Sequence, residues 1–328
     1  MRSLKLSVII VNWNHAEYLK LCLDALMDQT FTDFDIYIVD NGSTDGSKER
    51  IEKDYPEVNY WLFPDNRGFS GAFNWGVKHT QGEFVLSLNP DVFVKRDFLQ
   101  EMLKVMYRDE NIGIVSAKLL REENPTILDS TGLFINRLRR PYDRGQGEIE
   151  RGQYDASLDV FGACGAAALY RRSMLLDIAV NGEYFDEDFF AYYEDADLAW
   201  RAQLRGWNAR YAPKAIATHV RGWGDTLRKG KVAKKENIGP RLALRNRFLM
   251  TLKNDKFSYF LLDFPLIFIV ELSRLFYMAL YAPEALLGLR DIIVGFRSAL
   301  VKRKIIQERR VINDNSIRTW FKPQKVHT

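Results

Sequence analysis

At 328 residues, with 47% hydrophobic and 27% charged side chains, the chain has the composition of a folded protein and the length for one large α/β domain plus an appendage. Its two cysteines, Cys22 and Cys164, lie far apart with no CxxC pair, which argues against a disulfide framework or a zinc site and fits a reducing cytoplasm. The net charge of +4 hides an asymmetry: residues 237–328 carry 16 Lys and Arg against 7 Asp and Glu, leaving 31 against 36 for residues 1–236.

The N-terminal MRSLKLSVIIVNWN has too short an apolar core for a signal peptide and reads as a buried strand. HAEYLKLCLDALMDQT follows with helical spacing at Leu19, Leu23 and Leu26. FDIYIVD is a second strand that ends at the turn NGSTDG, and SKERIEKDYP a helix stopped by Pro56. NYWLFPD, SGAFNWGVKHT and GEFVLSLNPD then give strand, helix and strand. Strands alternating with helices at this spacing predict βαβ units and a mainly parallel sheet with helices on both faces. Such sheets bind ligands beyond the carboxyl ends of their strands. Here those ends carry Asn12 and Asn14, Asp40 and Asn41, Asp65 to Arg67, and Asn89 to Asp91.

From about residue 121 to 158 the regularity fails, and RRPYDRGQGEIERGQ reads as a long mobile loop, either a surface insertion or a gate over substrate. VFGACGAAALYRRSMLLDIA resumes as strand or helix, and EDADLAWRAQLRGW is an amphipathic helix closed by Gly206. Beyond residue 236, FSYFLLDFPLIFIVELSRLFYMALYAP is apolar but interrupted by Asp263, Pro265, Glu271 and Arg274. A single membrane span is a poor reading of it. Helices lying in the membrane interface suit it better, with an ordinary helical subdomain as the alternative. The basic tail is interleaved with Phe, Leu and Ile, which points to an anionic membrane surface and not to nucleic acid, with Lys302, Arg303 and Lys304 facing the headgroups.

Several side chains in this frame can carry chemistry. Asp91 follows a strand and the stiff Pro90, so its carboxylate is presented at a strand end, where a hard divalent cation prefers oxygen ligands. Asp40 is either an Asx-turn residue or an acceptor for a base N–H or ribose hydroxyls. Asn66 and Arg67 precede two glycines, and the guanidinium can pair with phosphate. Glu194 and Asp195 follow FFAYY; aromatic walls such as Tyr192 and Tyr193 can form an acceptor platform beside a general base. Asp197 is explained by the helix dipole. His219, at the end of an apolar run, is either structural or a nitrogen ligand to a metal.

Taken together, SVIIVNWN, VDNGSTDGS, NRGFSGAFNWG, LSLNPDV, FGACGAAALYRR, FDEDFFAYYEDADLAWRAQLRGW and HVRGWG resemble family 2 glycosyltransferases of GT-A fold, in order and spacing over residues 7 to about 224. The chain is particularly similar to the bacterial rhamnosyltransferase-like branch. The resemblance implies a GT-A domain over 1–235 and a helical, membrane-associating region over 236–328. It implies that Asp40 contacts the nucleobase, that Asn12, Asn14, Asn41, Asn66, Arg67 and Asn89 line the donor site, and that Asp91 holds Mg²⁺ or Mn²⁺, with His219 completing the metal site. Asp195 would be the base, Glu194 its less favoured alternative, with Trp223 beside Tyr192 and Tyr193 on the acceptor side. Where many relatives carry DxD or DD, this chain has Asn89-Pro90-Asp91, one carboxylate fewer. The implied reaction is inverting transfer of a sugar, by analogy rhamnose from dTDP-rhamnose, to a lipid-linked or polysaccharide acceptor at the cytoplasmic face of the plasma membrane. The rival readings are a nucleotidyltransferase, which should carry a Gly-rich loop where this chain has NWNHAEY, and a non-catalytic membrane-bound scaffold.

Overall fold

The computed structural model describes residues 5–220 and 238–321. The apolar run LSVIIVN forms β1 (Leu6–Asn12), followed by α1 (Ala16–Met27), whose Leu19, Leu23 and Leu26 are buried as their spacing predicts. The alternation continues through β2 (Phe34–Asp40), α2 (Ser47–Asp54), β3 (Asn59–Leu62), α3 (Gly68–Lys78) and β4 (Phe84–Leu88). After them come β5 (Val92–Val94), α4 (Phe98–Met106) and the long β6 (Ile112–Arg121).

Among the described residues, β1 to β4 pair in parallel in the order β3-β2-β1-β4. Next to β4 lies β11 (Ala167–Arg171), antiparallel to both β4 and β6, and β6 pairs in parallel with β12 (Asn208–His219). The reversal at β11 brings its leading end to the same edge where β1, β2, β4 and β12 finish. Asn12, Asp40, Asn89 and His219 lie at or next to that edge. Between the flanking elements, α5 (Arg172–Ile178) and α6 (Glu194–Leu204) cover one face. Gly206 ends α6 at φ +84°, with the Trp207 amide returning to the Ala202 carbonyl, as a C-cap glycine should.

Two sequence expectations are corrected. Around the stretch 139–153 read as a mobile loop the chain forms β7 (Asn124–Ser130), β8 (Leu133–Ile135), β9 (Pro141–Asp143) and β10 (Asp159–Val160), and the stretch itself is tied down where β9 pairs with β8 and Ile149 bridges Ile127. Its charges mislead because they are buried in partnerships. The Arg144 guanidinium lies among the rings of Phe134, Tyr154 and Tyr211 and donates to Thr131 and Ser157.

The second correction concerns the C-terminal segment. α7 (Ile238–Asn254), α8 (Phe257–Tyr281), α9 (Leu287–Glu308) and α10 (Asp314–Trp320) do not form a separate body. Leu249, Met250, Ala299, Ile306, Ile317 and Phe321 belong to the same buried cluster as Phe73, Phe161 and Trp200. Buried ion pairs add to this. Lys253 pairs with Asp186 and Asp197, and Arg139 with Asp255 and Asp263. Lys302, expected to face lipid headgroups, is buried and paired with Glu183, Asp186 and Asp188. Arg303 donates to the carbonyls of Leu252 and Asp255. Only Lys304 of the three is well exposed, at 77%.

Removing one member of a buried ion pair leaves an uncompensated charge, and removing all its helices also opens the apolar core. A chain ending at residue 237 should therefore fail to melt cooperatively by circular dichroism and should aggregate in gel filtration. A monodisperse truncation with a sharp melt would contradict the shared core.

Candidate active site

The region expected to bind the donor is built from the turns after β1, β2 and β3. Asn12 and Asp40 are register partners on adjacent strands, and the Asn12 amide donates to Asp40 Oδ2 at 2.6 Å and to Ser43 Oγ at 3.2 Å. Asp40 also accepts from the Tyr60 hydroxyl at 2.6 Å and the Ser43 amide at 2.7 Å. Both its oxygens are engaged and the residue is fully buried. In this arrangement its direct effect is to hold Asn12, Ser43 and Tyr60 in place. Three of its roughly four acceptor positions are thereby filled. Asn14, at φ +56°, accepts from the Thr44 amide at 2.8 Å and ties the two turns together. Asn41 donates to the Gly68 carbonyl and accepts from the Arg67 amide, while Asn66 Oδ1 accepts from the Gly68 amide. The Arg67 guanidinium stacks over Phe63, 4.3 Å from the ring centroid, with half of its side chain accessible. Its Nε lies 4.0 Å from Asp65 Oδ1, and the accessible guanidinium has the geometry to pair with a phosphate.

Asn89 follows β4, its amide donating to the Ala166 carbonyl at 2.9 Å. Two residues on, Asp91 stands 3.7 Å from Nε2 of His219. The other ring nitrogen, Nδ1, is 2.8 Å from Oδ2 of Asp129, which is fully buried. A carboxylate behind a histidine fixes the ring and its tautomer, leaving the far nitrogen to face a ligand. Burial raises the Asp91 carboxyl above its ordinary value, partly offset by His219 and His15. Among the described residues no group of three or more His, Cys, Asp and Glu is placed to hold a metal. A two-residue set of Asp91 and His219 still fits a hard divalent ion that takes its remaining oxygens from a diphosphate and water. Sequence reasoning found His219 and Asp91 but missed Asp129, because 90 residues separate it from His219 and no local pattern marks the pair.

The region expected to meet the acceptor begins with Glu194 and Asp195 in the first turn of α6. Asp195 Oδ2 accepts from the Gly165 amide at 3.0 Å, and Oδ1 from the Ala196 amide at 2.7 Å. Gly165 and Ala166 thus join Asp195 to the turn that carries Asp91. Burial pushes the Asp195 carboxyl up; the Gly165 amide opposes this, and the charge of Asp143 adds to it. Glu194 is raised further, first by burial and then by Asp195. Its Oε2 is buried without a hydrogen-bond partner, whereas Asp195 remains partly exposed. Of the two residues, Asp195 keeps the greater exposure. Of the aromatic residues expected beside it, Tyr192 is exposed, while Tyr193 packs against the core beneath the C-terminal helices. Trp223 lies outside the described residues.

Residues 7–178 match the model of glycosyl transferase family 2. The chain belongs to that family. It is 33% identical over 129 residues to an uncharacterized glycosyltransferase of Nostoc sp., covering 38% of this chain and 40% of that one. It is 27% identical over 263 residues to a poly-beta-1,6-N-acetyl-D-glucosamine synthase of Staphylococcus aureus, covering 79% of this chain and 60% of the synthase. The chain thus spans less than two thirds of the length of either relative. Among solved structures, a mannosyltransferase from Pyrobaculum calidifontis in complex with GDP-Man and Mn²⁺ aligns with a TM-score of 0.54 at 17% identity, covering 93% of this chain and 85% of that one. GalNAc-T7 with UDP, GalNAc and Mn²⁺ aligns with a TM-score of 0.58 at 12% identity, covering 77% and 48%. The fold is GT-A.

Replacing Asp129 with Asn removes the charge that orients His219 while keeping the side-chain volume. Such outer partners are worth about 10–100-fold in metal affinity. Calorimetric titration of Asp129→Asn with Mn²⁺ in the presence of a nucleoside diphosphate should show a loss of that size. Unchanged affinity would remove His219 from the metal site.

Proposed function

We propose that the chain is an inverting glycosyltransferase that moves a sugar from a nucleotide diphosphate to an acceptor hydroxyl in cell-surface glycan synthesis. The observation that carries this is Asp195, a desolvated but partly exposed carboxylate tied through Gly165 and Ala166 to the turn holding Asp91. Asp195 takes the acceptor proton as the acceptor oxygen attacks the anomeric carbon. The bond to the diphosphate breaks on the opposite face, so the configuration inverts and the nucleoside diphosphate leaves. Asp91 and His219 would hold Mg²⁺ or Mn²⁺, which would neutralise the charge growing on the departing diphosphate. Arg67 is available for the same charge.

The relatives support this reading in kind. One is a synthase of a glucosamine polymer, and one structural neighbour holds GDP-Man with Mn²⁺. Rhamnose from dTDP-rhamnose, on a lipid-linked or polysaccharide acceptor, remains the donor and acceptor pair we favour from the sequence motifs. The turn after β1 is NWNH, without the Gly-rich loop of a nucleotidyltransferase.

General-base catalysis contributes about 10²–10⁴-fold. Nucleoside diphosphate release should fall by that factor in Asp195→Asn, with donor binding retained in a thermal-shift assay. Near-normal turnover would remove Asp195 from the role. The base must be ionised, and its pKa is raised in the fold, so activity should be lost as pH falls through that raised value. The acid limb of kcat should lie above the roughly pH 4 of an ordinary aspartate. An acid limb at about pH 4 would contradict the burial argument.

Peripheral attachment to the inner face of the plasma membrane is the second part of the proposal. No helix among the described residues is long and apolar enough to cross a membrane. α8 is nevertheless polarised inside out. Its buried stripe carries Asp263 and Glu271, neutralised by Arg137, Arg139, Arg140 and Arg247. Its exposed side presents Leu262, Phe268, Leu272, Phe276 and Leu280. α9 adds Ile293 at 77% and Val294 at 75% exposure, with Arg290 and Arg297 exposed on the same helix. Apolar side chains flanked by cations suit an anionic lipid interface. Burying an aliphatic side chain is worth about 1.5–3 kcal/mol. The double variant Ile293→Asp, Val294→Asp should therefore weaken sedimentation with phosphatidylglycerol vesicles by about tenfold or more. Unaltered sedimentation would reject the surface.

A further inference from the structure

The segment between the short 3₁₀ turn Glu187–Phe189 and α6 is held in an unusual backbone state. Phe190, Tyr192 and Tyr193 all have positive φ, at 64°, 70° and 71°, in the left-handed region that bulky residues avoid. Such a backbone persists only where its surroundings fix it. Two surroundings do so. On the donor side, the Phe190 carbonyl accepts from the Ser70 amide at 3.2 Å, and a Cβ added at Gly68 would lie 2.5 Å from that carbonyl oxygen. The segment therefore packs directly on the backbone that opens α3 and that Asn41 holds through the Gly68 carbonyl.

On the other side stands Asn246 of α7, fully buried. Its single amide group donates to the carbonyls of Phe189 at 2.9 Å, Ala191 at 2.8 Å and Tyr192 at 2.8 Å. Its own Oδ1 accepts from Arg245 Nε at 2.8 Å, and Arg245 Nη2 reaches the carbonyls of Asp188 at 2.6 Å and Phe189 at 2.9 Å. Every carbonyl oxygen gathered here needs a donor, and an unpaired one would be costly in a buried site. A carboxylamide supplies two N–H donors from one rigid plane; no aliphatic or acidic side chain of that size does. The last residue of the clamped segment, Tyr193, accepts from the Asp197 amide at 2.9 Å and so sets where α6 begins. Asp195 sits in that first turn.

We infer that Asn246, seated in the C-terminal helices, is the positioning residue for Asp195: it fixes the left-handed segment 190–193 and thereby the reach of the base toward the donor site. The C-terminal segment then completes the active site as well as covering the core. This rests on the reading of Asp195 as the base. It adds that the base is aimed by a residue some fifty positions downstream, outside the part of the chain matched by the family model.

The test is kinetic and local. In Asn246→Ala the carbonyls of residues 191 and 192 lose this donor, while that of residue 189 keeps Arg245 and the Ala191 amide, and a misplacement near 1 Å can cost about 10²-fold. We expect kcat to fall about 10–100-fold with the donor KM changed less than about threefold. The acid limb of the pH profile should move as Asp195 shifts in its cavity. Adding Asn246→Ala to Asp195→Asn should cost nothing further, because the two act through one group. Hydrogen exchange of amides 188–196 should quicken while β1 and β4 stay protected. If Asn246→Ala does not fold, Arg245→Ala, at a partly exposed site, should give the same pattern at smaller size. A lowered melting temperature with wild-type kcat, pH profile and exchange at 188–196 would overturn the inference and leave Asn246 a packing residue. If the wild-type chain releases no nucleoside diphosphate, the base reading has failed on its own. Exchange at 188–196 then decides the positioning claim, and unaltered exchange rejects it.

Discussion

The Gly165 amide donates to Asp195 and the neighbouring Ala166 carbonyl accepts from Asn89, so that one turn holds Asp195 and the Asp91 turn together. This is possible because β11 runs against β4 and β6. A parallel strand in that place would deliver its leading turn to the far edge of the sheet. The reversal instead puts backbone donors and acceptors among the carboxyl ends of β1, β2, β4 and β12. The raised carboxyl of Asp195 follows from the same packing, since the closeness that supplies the Gly165 amide also removes water.

Strand ends and the residues on them were legible wherever periodicity alone decides the structure. β1 to β4 and their helices lie where their apolar spacing puts them, and Asp40, Asp91, Asp195 and His219 stand at strand or helix ends as expected. What the sequence could not give was pairing across distance. Asp129 behind His219, Tyr60 on Asp40, and Gly165 on Asp195 each join segments with no shared local pattern. The packed hairpins of residues 124–143 were hidden for a related reason. Arg139 looks like a solvated charge until Asp255 and Asp263 are seen beside it, and Arg144 until the rings of Phe134, Tyr154 and Tyr211 are.

The C-terminal helices show how composition can point both ways. Their excess of Lys and Arg is partly placed inside, where Lys253, Lys302 and Arg247 meet buried acids. Asp263 and Glu271, which break the apolar run in the sequence, are the residues that dock α8 on the protein. The apolar remainder is thereby turned outward. An ordinary subdomain and an interfacial helix are thus compatible descriptions of one segment. Its inner face holds the carbonyls of residues 189, 191 and 192 through Asn246, and its outer face is apolar.

The central claim is direct displacement by an acceptor activated at Asp195. It is tested most directly by the anomeric configuration of the product. The full-length chain would be incubated with Mn²⁺, an acceptor and a panel of thymidine, uridine and guanosine diphosphate sugars, and the first-formed glycoside read by proton NMR. The account predicts a product whose anomeric configuration is opposite to that of the donor it consumed. A product with the donor's configuration retained would contradict it.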